Sequence, residues 1–210
     1  MTLPRHDDIT EYLSQFSQQI EDLANEKNIE IKSLRDREAV KIVFEKIIRN
    51  QDYKMIILNG HGSEDHINGY KETILQAGMN DSIIRDRIVY ARSCNAAVIL
   101  GVKCTENSKE GCFIGYDRPF QFYVEIRWTG NPIKDNTARL FLESSNLVPI
   151  SLIKGNSANH ANENSKKQML KNIRKIILNP DAESFKIAEA LWNNYEGQVI
   201  LGNENASFIN

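Results

Sequence analysis

The sequence predicts an α/β fold, with a mostly parallel sheet flanked by helices. Two short apolar, β-branched runs, Met55-Ile56-Ile57-Leu58 and Ile88-Val89-Tyr90-Ala91, stop abruptly, as buried parallel strands do. Stretches at helical spacing alternate with such runs along the chain, which is the pattern of a sheet covered by helices. No internal repeat and no linker long enough to separate two domains interrupts this alternation.

Taken in order, residues 8–27 carry Ile9, Tyr12, Leu13, Phe16, Ile20 and Leu23 at helical spacing, with Asp7 or Asp8 as cap. Ile29 to Leu34 alternates as an edge strand, and residues 36–49 return to a helix through Val40, Ile42, Val43, Ile47 and Ile48. With the run ending at His61 this makes a βαβ unit. A polar loop or hairpin over 62–69 and a short helix near Ser82 to Arg85 precede the second run. Ala96 to Val102 suits a helix packed on the sheet, and Gly111 to Tyr116 reads as a further strand. Trp128 to Pro132 is turn chemistry, with a helix from about Ile133. An Asn-rich loop or helix start over 156–164 leads into two helices, near 165–178 and 182–194, split at Asn179-Pro180. Gln198 to Gly202 closes the chain as a strand.

At 210 residues, 41% apolar and 26% charged, the composition is that of an ordinary globular protein. The formal charge of −2 gives no sign of a nucleic-acid or membrane partner, and no apolar run reaches the ~20 residues a membrane helix needs. The N-terminus lacks the basic-then-apolar pattern of a signal peptide, and three cysteines do not make a disulfide framework. The expectation is a cytoplasmic protein with reduced thiols.

Both strands end on reactive side chains: Asn59-Gly60-His61-Gly62 and, 33 residues on, Arg92-Ser93-Cys94-Asn95. In open α/β sheets, ligands bind beyond the carboxyl ends of the strands. His61 and Cys94 would therefore share one crevice as a base and a thiol, an arrangement suited to nucleophilic catalysis. Alone, Cys94 reads as a buried structural thiol; the His61-Gly62 pair at the neighbouring strand end reverses that reading. Cys104 and Cys112 sit in apolar surroundings and read as core. The three cysteines lack the close pairs of a structural zinc site, so neither metal nor cofactor is expected. His66 reads as a solvated loop residue, and His160 has no identifiable partner. The basic cluster Lys166, Lys167, Lys171, Arg174 and Lys175 lies opposite Met169, Leu170, Ile173, Ile176 and Ile177, and reads as a solvated helix face.

These residues resemble the caspase-like cysteine peptidases of clan CD, which carry a His-Gly pair after one strand and a small-residue-Cys pair after the next. Within that clan, His61-Gly62 and Ser93-Cys94 are most similar to those of the bacterial CHAT domains. Gly111 to Tyr116 resembles the strand after the nucleophile helix, and Leu201-Gly202-Asn203-Glu204-Asn205-Ala206 resembles a closing Leu-Gly-Asp-Pro-like block, departing from it at Asn203 and Glu204. The resemblance spans residues 28–208 through four short blocks. It implies a caspase-like three-layer sandwich over residues 28–210, with residues 1–27 as a helical extension able to act as a docking element.

The resemblance further implies a His61/Cys94 dyad without a third acidic member, and an oxyanion site made by the backbone N–H groups of Gly62 and Cys94. Cys94 would precede a helix whose N-terminus favours negative charge. Arg92, two residues before the nucleophile and on its side of the strand, and Asp117 are the expected substrate-binding residues. Arg92 could instead pair with Asp65, Glu64 or Asp117. The implied activity is a cysteine endopeptidase acting on a protein substrate, a defence or regulated-death effector switched on by a separate sensor or activating protein. Two alternatives stand beside it. One is a catalytically silent interaction scaffold. The other is a small-molecule hydrolase, disfavoured because neither a Gly-x-Ser-x-Gly elbow nor a phosphate-binding glycine loop is present.

Overall fold

A computed structural model describes residues 1–178 and 180–208. In chain order the elements are β1 (Thr2–Leu3), α1 (Asp8–Glu26), β2 (Leu34–Arg35), α2 (Lys41–Asn50), β3 (Met55–Asn59), β4 (His66–Asn68), β5 (Thr73–Gln76), β6 (Ile88–Arg92), α3 (Leu100–Thr105), β7 (Cys112–Tyr116), α4 (Asn136–Ile153), α5 (Ala158–Leu178), α6 (Ser184–Gly197) and β8 (Gln198–Gly202). Four short 3-10 turns fill the connections.

The central sheet has the order β3-β6-β7-β8. β3, β6 and β7 are parallel and β8 runs antiparallel to β7, so the sheet is mixed but mostly parallel. Period-two alternation sends side chains to both faces. Ile56, Leu58, Val89, Ala91 and Phe113 pack with Phe44 and Ile48 of α2, Leu100 and Cys104 of α3, and the β4–β5 hairpin. Ile57, Ile88, Tyr90, Cys112 and Ile114 face Ile20 and Ala24 of α1, Val148 and Leu152 of α4, and Ala158 and Ala161 of α5. Both sheet faces are thus covered by helices, which accounts for the continuous apolar runs of the inner strands.

The expected βαβ unit is not formed. Residues 29–33 are irregular, and Leu34–Arg35 pairs in parallel with Thr2–Leu3 rather than with the central sheet. The helix expected at Ala96 begins only at Leu100 and runs six residues, because Ser93 to Ile99 is spent on turns with Asn95 at φ 55°. α5 reaches back to Ala158, so most of the Asn-rich segment is its first two turns, the helix start rather than the loop. The expected helix break at Asn179 lies outside the described residues, and Pro180 follows α5.

Residues 1–27 are not a separate extension. Asp7 caps α1, accepting from the Thr10 N–H while the Thr10 hydroxyl returns to the Asp7 backbone. Tyr12, Leu13, Phe16 and Ile20 of α1 are fully buried against α4 and the sheet. Thr2 bonds Asn59 at the end of β3 through both backbone and side chain. The helix is one of the layers that closes the core.

Arg92 explains why α1 sits where it does. Its register partner is Asn59, on the same face of the sheet. The guanidinium, 0% exposed, donates to Asn59 Oδ1, Ser17 Oγ and the Leu13 carbonyl of α1, and Ser145 Oγ and Asn146 Oδ1 of α4. Among the described residues no carboxylate pairs with it. Burial pulls its pKa below the ordinary arginine value, and only neutral acceptors compensate the loss of water. Arg92→Met keeps the bulk but orphans several buried acceptors, each worth ~1–3 kcal/mol. We expect urea denaturation of this variant to show a loss of about 3 kcal/mol or more; a loss below about 1 kcal/mol would show that the network is dispensable.

Candidate functional site

The parallel register pairs Asn59 of β3 with Arg92 of β6. His61 and Cys94 each lie two residues beyond that pair, so the two loops leave the same end of adjacent strands. Gly62 joins them. A side chain at Gly62 would place its Cβ 2.1 Å from Ser93 Oγ and 2.8 Å from the His66 carbonyl oxygen. The glycine is therefore required by close approach of the Ser93–Cys94 loop and the hairpin, not by room for a substrate carbonyl. Gly62 faces Ile67 in an isolated antiparallel bridge, flanked by Asn68 N–H to His61 O at 2.8 Å and Ser63 N–H to His66 O at 2.9 Å. That pattern turns the Gly62 N–H away from the hairpin. Among the described residues, neither the Gly62 nor the Cys94 N–H has a protein acceptor.

His61 is exposed and its Nε2 lies 2.7 Å from Asp7 Oδ2. A carboxylate accepts, so Nε2 carries the proton and Nδ1 holds the free lone pair of the neutral ring. The other oxygen of Asp7 takes the Thr10 N–H and hydroxyl, both at 2.8 Å, which fixes the carboxylate. Burial pushes the Asp7 pKa up, but the bonds from Thr10 and His61 outweigh it and leave the carboxyl below its ordinary value. His6 Nε2 also approaches Asp7 Oδ2, at 3.3 Å, and its ring meets His61 and Tyr70 edge-on with centroids 5.9 Å away in each case. His6, Asp7 and His61 form a group with metal-ligand chemistry, their ligand atoms all within 4.8 Å of one another.

Cys94 is half-buried, and its thiol donates to the Phe120 carbonyl, Sγ to O 3.8 Å. His61 and Cys94 share the site but do not hydrogen-bond each other. No helix N-terminus supports the thiol, since α3 starts six residues later. Arg92 is not a substrate-binding residue: every group it meets is part of the protein, and it pairs with none of Asp65, Glu64 or Asp117. It lies on the Asn59 face of the sheet, which α1 and α4 cover. Asp117 is exposed just past β7, 3.1 Å from Arg118 Nε. Asp65 turns away from His61 and bonds Ser63 and His66, which with Gln76 hold its carboxyl down to about 2.

Asp7 and His6 are the residues of this site that the sequence did not reveal. Asp7 was legible as a helix-cap candidate beside Asp8, but nothing local says that the cap lands on a loop 54 positions away. A cavity of about 330 Å3, lined by Ile29, Ile31, Phe44, Ile47 and Met55, opens at the opposite end of β3 and is remote from this site.

The thiols differ sharply. Burial pushes Cys104 and Cys112 up to about 12 each, whereas Cys94 is accessible. Iodoacetamide at pH 8.5 should add one group to the native protein, at Cys94, and three groups in denaturant; intact-mass and peptide mapping check this. Modification of Cys104 or Cys112 at a comparable rate would contradict the burial. Comparison with family models, curated proteins and solved structures gives no match, so the reading of this site rests on its own geometry.

Proposed function

We propose that this protein is a cysteine peptidase in which Cys94 attacks, His61 transfers the proton and Asp7 orients His61. The observation that carries the reading is the shared strand end: a thiol and an acid-anchored imidazole on adjacent loops, beside two backbone N–H groups without protein acceptors. Asp7 holds the proton on Nε2, so the Nδ1 lone pair is the one left to take the thiol proton. The thiolate adds to the substrate carbonyl carbon, and the Gly62 and Cys94 N–H groups receive the developing oxyanion. Protonated Nδ1 then delivers its proton to the leaving amine as the C–N bond breaks. Water, deprotonated by the same nitrogen, hydrolyses the thioester and returns the free thiol.

The caspase-like, CHAT-type resemblance of the His61-Gly62 and Ser93-Cys94 blocks supports a peptide substrate, and helices on both sheet faces are compatible with the sandwich it implies. In this reading the resting chain needs a rearrangement, because the thiol bonds the Phe120 carbonyl rather than the imidazole. Catalytic hydrogen bonds often tighten only with substrate bound. A requirement for a partner or sensor, as expected of a defence or regulated-death effector, fits that separation. The same separation is also the one observation favouring a silent scaffold.

Cleavage of a proteome-derived peptide library, read by mass spectrometry, distinguishes the two. Wild type should cut, Cys94→Ala should not, and His61→Ala should lose about a hundredfold or more in rate. Cuts persisting in Cys94→Ala would remove the assignment, and a folded wild type that cuts nothing would favour the scaffold. Asp7→Ser keeps a good helix cap but removes the carboxylate. It should slow cleavage and release His61 from the Nε2–H tautomer, read by 15N NMR of the imidazole; an unchanged tautomer would deny Asp7 its orienting role.

A further inference from the structure

We infer that His6, Asp7 and His61 form a zinc site that switches His61 off. Two imidazole nitrogens and one carboxylate oxygen are a ligand set that zinc accepts, with a fourth position left for water. Tetrahedral zinc with bonds of ~2.0–2.1 Å places its ligand atoms about 3.3 Å apart. Here Asp7 Oδ2 lies 3.3 Å from His6 Nε2 and 2.7 Å from His61 Nε2, and the whole set falls within 4.8 Å.

The outer contacts are those of a fixed site. Thr10 holds the far oxygen of Asp7, and its hydroxyl also receives the His6 and Asp7 N–H groups at 3.0 and 3.2 Å. The His6 side chain is only 16% exposed and is braced edge-on by Tyr70, whereas His61 remains open to solvent. The Thr10 contacts are of the kind that orient a metal ligand, whereas His6 Nδ1 is buried without a hydrogen-bond partner. Leu3 and Pro4, just before His6, are buried, and His61 follows directly on β3, so both halves of the site stand on packed structure.

The consequence for His61 follows from proton placement. With Asp7 accepting from Nε2, the Nδ1 lone pair is free. Zinc needs the Nε2 lone pair, so the single proton of neutral imidazole must sit on Nδ1, and the ring loses its capacity to accept from a thiol. This inhibitory outcome rests on the proposed role of His61; the binding itself does not.

The test is a chelator-competition titration of the full chain with Zn2+, which reads binding rather than activity. One zinc per chain should bind wild type and Cys94→Ala alike, and affinity should fall by at least about tenfold in His6→Ala and in His61→Ala. Because His6 is partly packed, circular dichroism accompanies its variant, and the exposed His61→Ala carries the comparison if His6→Ala does not fold. No binding by wild type, binding undiminished by His61→Ala, or binding abolished by Cys94→Ala would each overturn the site.

Discussion

A single buried cation, Arg92, organises this molecule. A guanidinium with no carboxylate partner costs much to desolvate, and it is retained only because hydrogen-bond acceptors from three elements converge on it. Those acceptors come from β3, α1 and α4, while Arg92 itself ends β6. Each is neutral, so the network has directional rather than Coulombic character. It therefore fixes how the helices are placed on the sheet, and not merely that they pack.

That placement reaches the candidate site. Arg92 seizes α1 at Leu13 and Ser17, about two and three turns inward from the cap. The N-terminus of the same helix then projects Asp7 over the loop that follows β3, where its carboxylate meets His61. On the sheet side, Asn59 and Arg92 bond each other in register, and this holds level the two strand ends from which His61 and Cys94 depart. Packing of a helix, register of two strands and orientation of an imidazole are thus linked through one side chain. His6 belongs to the same chain of dependence, since Thr10 ties its backbone to the first turn of α1.

Much of this was legible in the sequence, and the failures have specific causes. The strands β3, β6 and β7 announced themselves because buried strands need continuous apolar runs, α1 because it buries a broad apolar face, and α4 because turn chemistry marks its start. Cys94 and His61 could be placed at one sheet end because parallel strands share a direction. Arg92 was misread because alternation tells which face a residue joins, but not what covers that face, and here the covering helix comes from residue 8 onward. The helix after Cys94 was expected too early because Ala96 and Ala97 are buried by turns rather than by a helix. Asp7 has two jobs, and only the local one, capping Thr10, leaves a mark at short range in the chain.

The account stands or falls on whether His61 acts on Cys94. The most direct measurement is the rate at which a peptidyl acyloxymethyl ketone, an irreversible thiol reagent that needs substrate-like binding, forms its adduct on wild type and on His61→Ala. One thioether should form, at Cys94, and far more slowly without His61. Equal rates for the two proteins would mean that the thiol and the imidazole share a strand end but no chemistry.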